Sequence, residues 1–401
     1  MEVAVPARFT GSFTQQEAIP ADAIAAAVSV LQSGRLHRYN LAQDEEGEVA
    51  RLEAEYRDWQ GSAYCLAVTS GGQALQIALR ACGLRPGEAV LTNGFTLAPV
   101  PGAISAVGGT VILVEIDEAL RLDLDDLAAK IASSGARVLL LSHMRGHLCD
   151  MDRLMRICDG AGVTVIEDCA HTMGARWNGK RSGNFGKVAC FSTQTYKHMN
   201  SGEGGFLTTG DAKIAARATI LSGSYMMYAR HGAGPAPDAF AEARYQMPNC
   251  SARMDALRAA ILRPQLAQLD RNVERWNARY RAVEAGLKGY PHLTSIPLPA
   301  AELHVGSSIQ FRIPDFTADQ CRAFLDSAKA RGVELKWFGA PEPVGFTSAH
   351  PSWRYVTPQD LPRTDRILAT LFDMRLPLSF TKADCALIAE LICDAVSEVA
   401  P

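Results

Sequence analysis

Between about residues 63 and 210 the chain alternates short apolar runs with longer amphipathic stretches. The runs are Tyr64–Ser70 (YCLAVTS), Ala89–Phe95 (AVLTNGF), Thr110–Ile116 (TVILVEI), Arg137–His143 (RVLLLSH), Val163–Cys169 (VTVIEDC) and Val188–Thr193 (VACFST). Each is of strand length and rich in β-formers, while the stretches between, such as Gly72–Cys82 and Asp150–Gly160, are of helix length. Runs that are continuously apolar belong to strands covered on both faces, so the pattern predicts an α/β fold with a mainly parallel sheet between layers of helices. Ligands of such sheets lie at the carboxyl ends of the strands. Ser70-Gly71-Gly72, Asn93-Gly94-Phe95, Ser142-His143, Glu167-Asp168 and Ser192-Thr193-Gln194 all fall there.

The second half reads differently. Arg253–Leu287 has a long helical period, with Pro264 expected to kink it. Ile309–Ile313, Gly332–Trp337 and Met374–Pro377 read as strands and Lys382–Val399 as a closing helix, which together predict a smaller α+β C-terminal domain. His231–Asp238, rich in Gly, Pro and Ala, reads as a surface loop. Ala89–Val114 carries no charge and is long enough to span a bilayer. It is broken by Asn93, Pro99, Pro101 and several glycines, so we read it as strand, loop, short helix and strand, all buried.

Composition narrows the function. At 401 residues, one subunit of two unequal domains is the economical reading. A formal net charge of −3 gives no electrostatic case for nucleic acid or an anionic membrane, which leaves small-molecule substrates. The ten cysteines are scattered singly with no Cys-x-x-Cys pair, as in reduced cytosolic enzymes, and MEVAVPARFTGSFTQQ lacks the features of a signal peptide. A cytoplasmic enzyme is expected.

The candidate chemistry sits in Phe191–Gly205, FSTQTYKHMNSGEGG, which holds Lys197 between a hydroxyl-bearing turn and a glycine-rich return. Upstream, VIEDCAH ends a strand on Asp168. A lysine amine that forms a Schiff base with an aldehyde, and a carboxylate that keeps a pyridine nitrogen protonated, are together what pyridoxal 5'-phosphate requires. Asp168 could equally cap the following helix. These motifs resemble those of the DegT/DnrJ/StrS-type sugar aminotransferases, a branch of the fold type I pyridoxal phosphate enzymes, whose pattern is roughly E-D-x-A-[QH], then F-S-x-x-x-x-K with G-E-G-G soon after. The resemblance covers most of the chain, from Ser33-Gly34 to Leu376-Pro377-Leu378.

That resemblance implies a seven-stranded, mainly parallel sheet in a large domain of residues 31–260. A linking helix and small domain would span 261–401, with residues 1–30 joining the small domain. It implies that Lys197 carries the cofactor and moves the proton, that Asp168 faces the pyridine nitrogen and that His171 contacts the ring or its phenolic oxygen, a satisfied core histidine being the alternative. Gly71 and Gly72 would offer backbone amides to the phosphate at a helix start, with Gly72 standing where the family has threonine. Ser192 and Gln194 would add contacts to the same phosphate, and Phe95 would stack on the ring or else be a plain core residue.

Two departures stand out. Asn249–Met254, NCSARM, lacks the family's asparagine at its usual place, so Asn249 or Ser251 is expected to reach the cofactor phosphate of a neighbouring subunit in a homodimer. Arg145 replaces a common tyrosine in LSHMRGHLCDM and could meet an anionic substrate group. His143, His147 and Cys149 of the same segment raise a metal reading, which Gly146 and the preceding strand disfavour; no metal is expected.

The leading expectation is an aminotransferase that moves an amino group from glutamate or glutamine to a keto sugar, usually nucleotide-linked, or to a keto-cyclitol. The alternatives are another reaction of the same cofactor (elimination, racemisation or carbon-carbon chemistry) and a non-catalytic cofactor-binding regulator. Acceptor choice is expected to lie in Ser222–Met247 and Trp337–Phe346.

Overall fold

The computed structural model describes residues 8–42, 45–345 and 348–400. All six apolar runs form strands: β1 (Tyr64–Val68), β2 (Ala89–Asn93), β3 (Thr110–Val114), β4 (Val138–Ser142), β5 (Thr164–Asp168) and β6 (Val188–Ser192). A seventh, β7 (Gly205–Thr209), follows Lys197. The seven make one sheet of order β1-β7-β6-β5-β4-β2-β3, in which β7 runs antiparallel to both of its neighbours and the remaining pairs are parallel. Separate apolar clusters cover its two faces. This is why the runs are unbroken instead of alternating.

Helix ends are set by side-chain caps. Ser70 accepts from the Gln73 amide and Asp150 from the Arg153 amide, so the helices run Gly71–Ala81 and Met151–Ala161, each within one residue of expectation. The long helix begins at Ala256 and not at Arg253. Asp255 caps it, and Arg253 is drawn instead into a β-bridge with Val68. It continues through Pro264 as a single helix to Leu287.

The small sheet has the order β8 (Thr294–Ser295), β9 (Ser308–Arg312), β11 (Leu371–Arg375) and β10 (Lys336–Trp337), antiparallel throughout. Two expected strands shift. Of Gly332–Trp337 only the last two residues pair, because the chain near Phe9 takes the place beside Gly332: the Phe9 amide donates to the Arg331 carbonyl at 2.9 Å. β11 starts three residues before Met374, since Leu371 and Phe372 are fully buried. Phe9 and Phe13 meet Phe380 edge-on, each at 5.0 Å, and so join the core formed by this sheet with Lys382–Val399. Among the described residues, no helix is long and apolar enough to cross a membrane. All ten cysteines are unpaired.

His231 departs from the surface-loop expectation. It is 2% exposed and lies against a buried pair, Arg38 and Glu53, whose two hydrogen bonds measure 2.8 and 2.9 Å. Glu53 also accepts from the Ala67 amide of β1 at 2.8 Å, so one carboxylate ties together the segment before the helix Glu48–Gln60, that helix, β1 and the His231 turn. Burial would raise the Glu53 carboxyl, but Arg38 and His231 outweigh it and hold it down at about 2. Arg38→Ala strands this charge in the interior and should cost about 3–5 kcal/mol in urea unfolding. The carboxyl titrates far below its unfolded value, so its contribution is present above about pH 4.3 and lost as pH falls toward 2. A loss under 1 kcal/mol, on the same scale, would show that the pair does not hold these segments.

Candidate active site

The antiparallel closure of β6 on β7 creates the site. Ser192 pairs with Gly205, and residues 193–204 loop out above them at the carboxyl end of β6. The loop is internally bonded: Thr193 N–H donates to Gly204 O, Thr195 N–H to Gly202 O and Lys197 N–H to Gln194 O. The Gln194 side chain accepts from the Tyr196 amide at 2.9 Å. Lys197 is thereby pointed at a cavity of about 420 Å³ between the sheet's carboxyl edge and the small sheet.

The glycines make close approach feasible. A Cβ on Gly71 would meet the Ser192 Cβ at 2.9 Å, and one on Gly205 would meet the Gly71 nitrogen at 2.7 Å. Side chains at either position would pry the helix start away from β6 and β7. First-turn amides have no partners within their helix; here they belong to Gly71 and Gly72, and both residues line the cavity with Ser192 and Gln194. A helix N-terminus of this kind attracts an anion.

Lys197 Nζ lies 2.8 Å from His171 Nε2. The other ring nitrogen of His171 accepts from the Arg145 amide at 3.4 Å. In that tautomer Nε2 carries the proton and donates to a neutral amine. The surroundings make the neutral form accessible: burial, then the Arg145 charge, outweigh Asp168 and, with Arg375 adding, push the Lys197 amine down to about 7. Burial and the Lys197 and Arg145 charges push the His171 imidazole down as well.

Asp168 ends β5 and is 8% exposed. One oxygen accepts from the Ala170 amide at 3.1 Å and the other from the Ser142 hydroxyl at 3.3 Å, which in turn accepts from Thr96 at 2.7 Å. Burial raises its carboxyl, outweighing the Ala170 amide, the Lys197 and His143 charges and the Ser142 hydroxyl, all of which lower it. Asp168 therefore does satisfy a local amide, yet it also lines the cavity opposite the loop that bears Lys197.

Phe95, Asn249, Ser251, His143, His147 and Cys149, also singled out in the sequence, lie outside the lining of this cavity. Phe95 is fully buried, edge-on to Phe338 at 5.0 Å, and its neighbours Thr96 and Leu97 line the cavity instead. Asn249 and Ser251 are exposed and lie outside the cavity of their own chain; Asn249 accepts from the Tyr225 amide at 2.8 Å, and Ser251 adopts φ 51°. His143, His147 and Cys149 diverge: His143 meets Glu167 at 3.1 Å, His147 meets Gln310 at 2.8 Å and Cys149 contacts Met151. His143, Glu167 and Cys169 do converge, but three backbone amides already occupy the Glu167 carboxylate. Of the two segments expected to choose the acceptor, Ser222–Met247 does not line this cavity within one chain, while Trp337, Ala340, Val344 and Gly345 border a second cavity beside it. Phe346 lies outside the described residues.

Sequence reading missed Tyr196, Thr96 and, most notably, Arg375, which reaches the cavity from β11 of the small sheet and lies 3.9 Å over the Tyr196 ring. The only available signal was its place beside Leu376-Pro377-Leu378.

The family model described as the DegT/DnrJ/EryC1/StrS aminotransferase family matches residues 18–392. A dTDP-3-amino-3,4,6-trideoxy-alpha-D-glucose transaminase of Streptomyces venezuelae is 34% identical over 342 residues, covering 83% of this chain and 82% of its own. The 3-amino-5-hydroxybenzoate synthase of Amycolatopsis mediterranei is 32% identical over 293 residues, covering 71% and 72%. The crystal structure of a 3-amino-5-hydroxybenzoic acid synthase superposes with a TM-score of 0.82 at 26% identity, covering 96% of this chain and 99% of the other.

The depressed amine makes a thermodynamic prediction. Folded, it titrates near 7 and unfolded near about 10.4. Between those values the unfolded chain binds the extra proton, so cofactor-free stability rises with pH by up to about 1.4 kcal/mol per unit. The stability difference between wild type and Lys197→Met, both free of cofactor, should therefore grow in favour of wild type from pH 7 to 10 in urea unfolding. A flat difference would mark Lys197 as an ordinary solvated lysine.

Proposed function

The chain belongs to the DegT/DnrJ/EryC1/StrS aminotransferase family, and from that premise we propose that it transfers an amino group from glutamate or glutamine to a small keto sugar, nucleotide-linked or cyclitol-like. The family makes it a pyridoxal 5'-phosphate-dependent aminotransferase of the fold type I architecture. The Streptomyces venezuelae relative, named for a dTDP-amino sugar, supports the sugar acceptor. The observation that carries the assignment to this site is the buried Lys197 amine held 2.8 Å from His171 and pushed down to about 7.

The residues present fit the cofactor. Gly71 and Gly72 at a helix start, with Ser192 and Gln194 beside them, suit a phosphate; Asp168 suits a protonated ring nitrogen; the cavity of about 420 Å³ is of ligand size. Bound there, the cofactor would supply an electron sink for the bond broken at the substrate carbon. The Asp168 carboxylate, fixed by the Ala170 amide and Ser142, keeps the ring nitrogen protonated in this reading. Lys197 Nζ would hold the cofactor through its aldehyde and, once released from it, would carry a proton between the substrate carbon and the cofactor. An amine near 7 can do both at neutral pH. His171 orients Nζ from one side, and the loop bonds from Thr193 to Gly204 fix its backbone.

Borohydride reduction should fix the cofactor to Lys197, which blocks tryptic cleavage there and yields a Val188–Lys213 peptide carrying the cofactor. Attachment at Lys180 or Lys187 instead would remove the assignment. Lys197→Ala should lower turnover by at least about 10²–10⁴-fold. Asp168→Asn should bind cofactor and lose about 10²-fold or more, and near-normal turnover of that variant would exclude its pairing with the ring.

We further propose a homodimer in which Asn249 or Ser251 of one protomer approaches the cofactor phosphate of the other. Support comes from an apolar stripe at helical spacing, Ile24, Val28 and Leu31, which are 44–55% exposed on the helix Ala21–Ser33, and from exposed Tyr225 and Met226 beside Asn249. Sedimentation should show a dimer that Val28→Asp weakens together with cofactor affinity. A fully active monomer would refute it.

A further inference from the structure

The face of the small sheet turned away from its own core carries charge. Antiparallel pairing sets Gln310, Asp373 and Lys336 in one rung across β9, β11 and β10, and Arg375 lies two residues beyond Asp373 on the same face. The opposite face carries Phe311, Phe372 and Trp337 into the small-domain core. Arg145 approaches from the large domain, 8% exposed and in a left-handed conformation at φ 56°, which costs a non-glycine residue energy and is retained where the surroundings demand it.

These groups are out of balance. Arg145 reaches one Asp373 oxygen at 2.8 Å, and Gln310 donates to the other at 2.7 Å. Among the described residues lining this cavity, Asp373 is the one buried carboxylate beside three cations, Glu334 being exposed; Lys336 Nζ donates to the Val344 carbonyl at 2.7 Å and Arg375 bonds to Tyr196, so neither contact adds a negative charge. Burial followed by Arg145, with Arg375 adding, pushes Lys336 down to about 8, and burial followed by Arg145 lowers even Arg375. Arg145 Nε is buried with no hydrogen-bond partner among the described residues. A donor left unpaired at that depth costs free energy that an incoming acceptor would recover.

All three cations line a second cavity of about 280 Å³, and Arg145 and Arg375 also line the cavity of Lys197. We propose that Arg145, Lys336 and Arg375 form an oxyanion subsite beside Lys197, filled by the carboxylate or phosphate group of a substrate. Two guanidinium forks and an ammonium match the planar or tetrahedral oxygens of such a group. The surplus charge is balanced when the group is bound, and the shared arginines place it within reach of a reacting carbon at Lys197. The proposal deepens the aminotransferase reading and rests on it for the position of that carbon. It does not rest on the phosphate contacts at Gly71 and Gly72.

The test uses the cofactor-loaded enzyme, whose own phosphate site is filled. Calorimetric titration with glutarate, standing for a dicarboxylic amino donor, and with inorganic pyrophosphate, standing for a nucleotide-linked acceptor, should show binding of at least one. Glutarate binding assigns the subsite to the donor and pyrophosphate binding to the acceptor. Lys336→Met and Arg375→Gln should each weaken that binding about tenfold or more, while Lys336→Arg keeps it near the wild-type value with melting temperature and cofactor absorbance unchanged. Absence of binding by both probes, or wild-type affinity in Lys336→Met and Arg375→Gln, would overturn the subsite. Borohydride labelling at another lysine would instead sink the role of Lys197 and leave these titrations intact.

Discussion

Keeping an amine uncharged inside a protein sets the terms for this site. An isolated lysine in water is protonated at neutral pH, and as an ammonium Lys197 could neither attack an aldehyde nor accept a proton. Desolvation does most of the shifting, and the positive charges of Arg145 and Arg375 add to it while Asp168 works against them. Each contributor comes from a different part of the chain: the loop after β6 for the amine, the turn after β4 for Arg145, the end of β5 for Asp168 and β11 of the small sheet for Arg375. The fold serves to hold these four at one point.

That dependence explains what was legible in the sequence. The six apolar runs became strands because a doubly covered sheet leaves no alternation to blur the signal, and helix starts fell where Ser70 and Asp150 could cap them. Lys197, Asp168, His171, Gly71, Gly72, Ser192 and Gln194 all line the cavity because their motifs are local: each sits within a few residues of a strand's carboxyl end. Phe95, for which the resemblance implied stacking on the ring and a plain core residue was the alternative, sits in the bend after β2 and packs into the core, while Thr96 and Leu97 meet the cavity.

What stayed hidden is nonlocal. Arg375 follows Asp373 on a strand whose boundaries were themselves misplaced by three residues, and nothing near it in sequence announces Lys197, some 178 positions away. Glu53 gives a similar lesson. It looks like an ordinary helix-surface acid, yet it is wholly buried because Arg38, His231 and the Ala67 amide converge on it from three other segments. Burial of a charge is decided by partners that local pattern does not encode.

The two arginines that depress the Lys197 amine are also two members of the cationic trio around Asp373. This makes substrate charge and amine basicity one linked quantity. Burial, together with the positive potential of Arg145 and Arg375, lowers the Nζ amine to about 7, so that the neutral form, the one that bonds to an aldehyde, is available at neutral pH. In the proposed subsite an oxyanion between them would offset that potential and raise the basicity of the amine, so that a proton taken from substrate would be held more firmly. A neutral substrate of the same shape would leave the potential in place. Discrimination between charged and neutral substrates would then fall on the proton-transfer step as well as on binding, because one pair of guanidinium groups governs both.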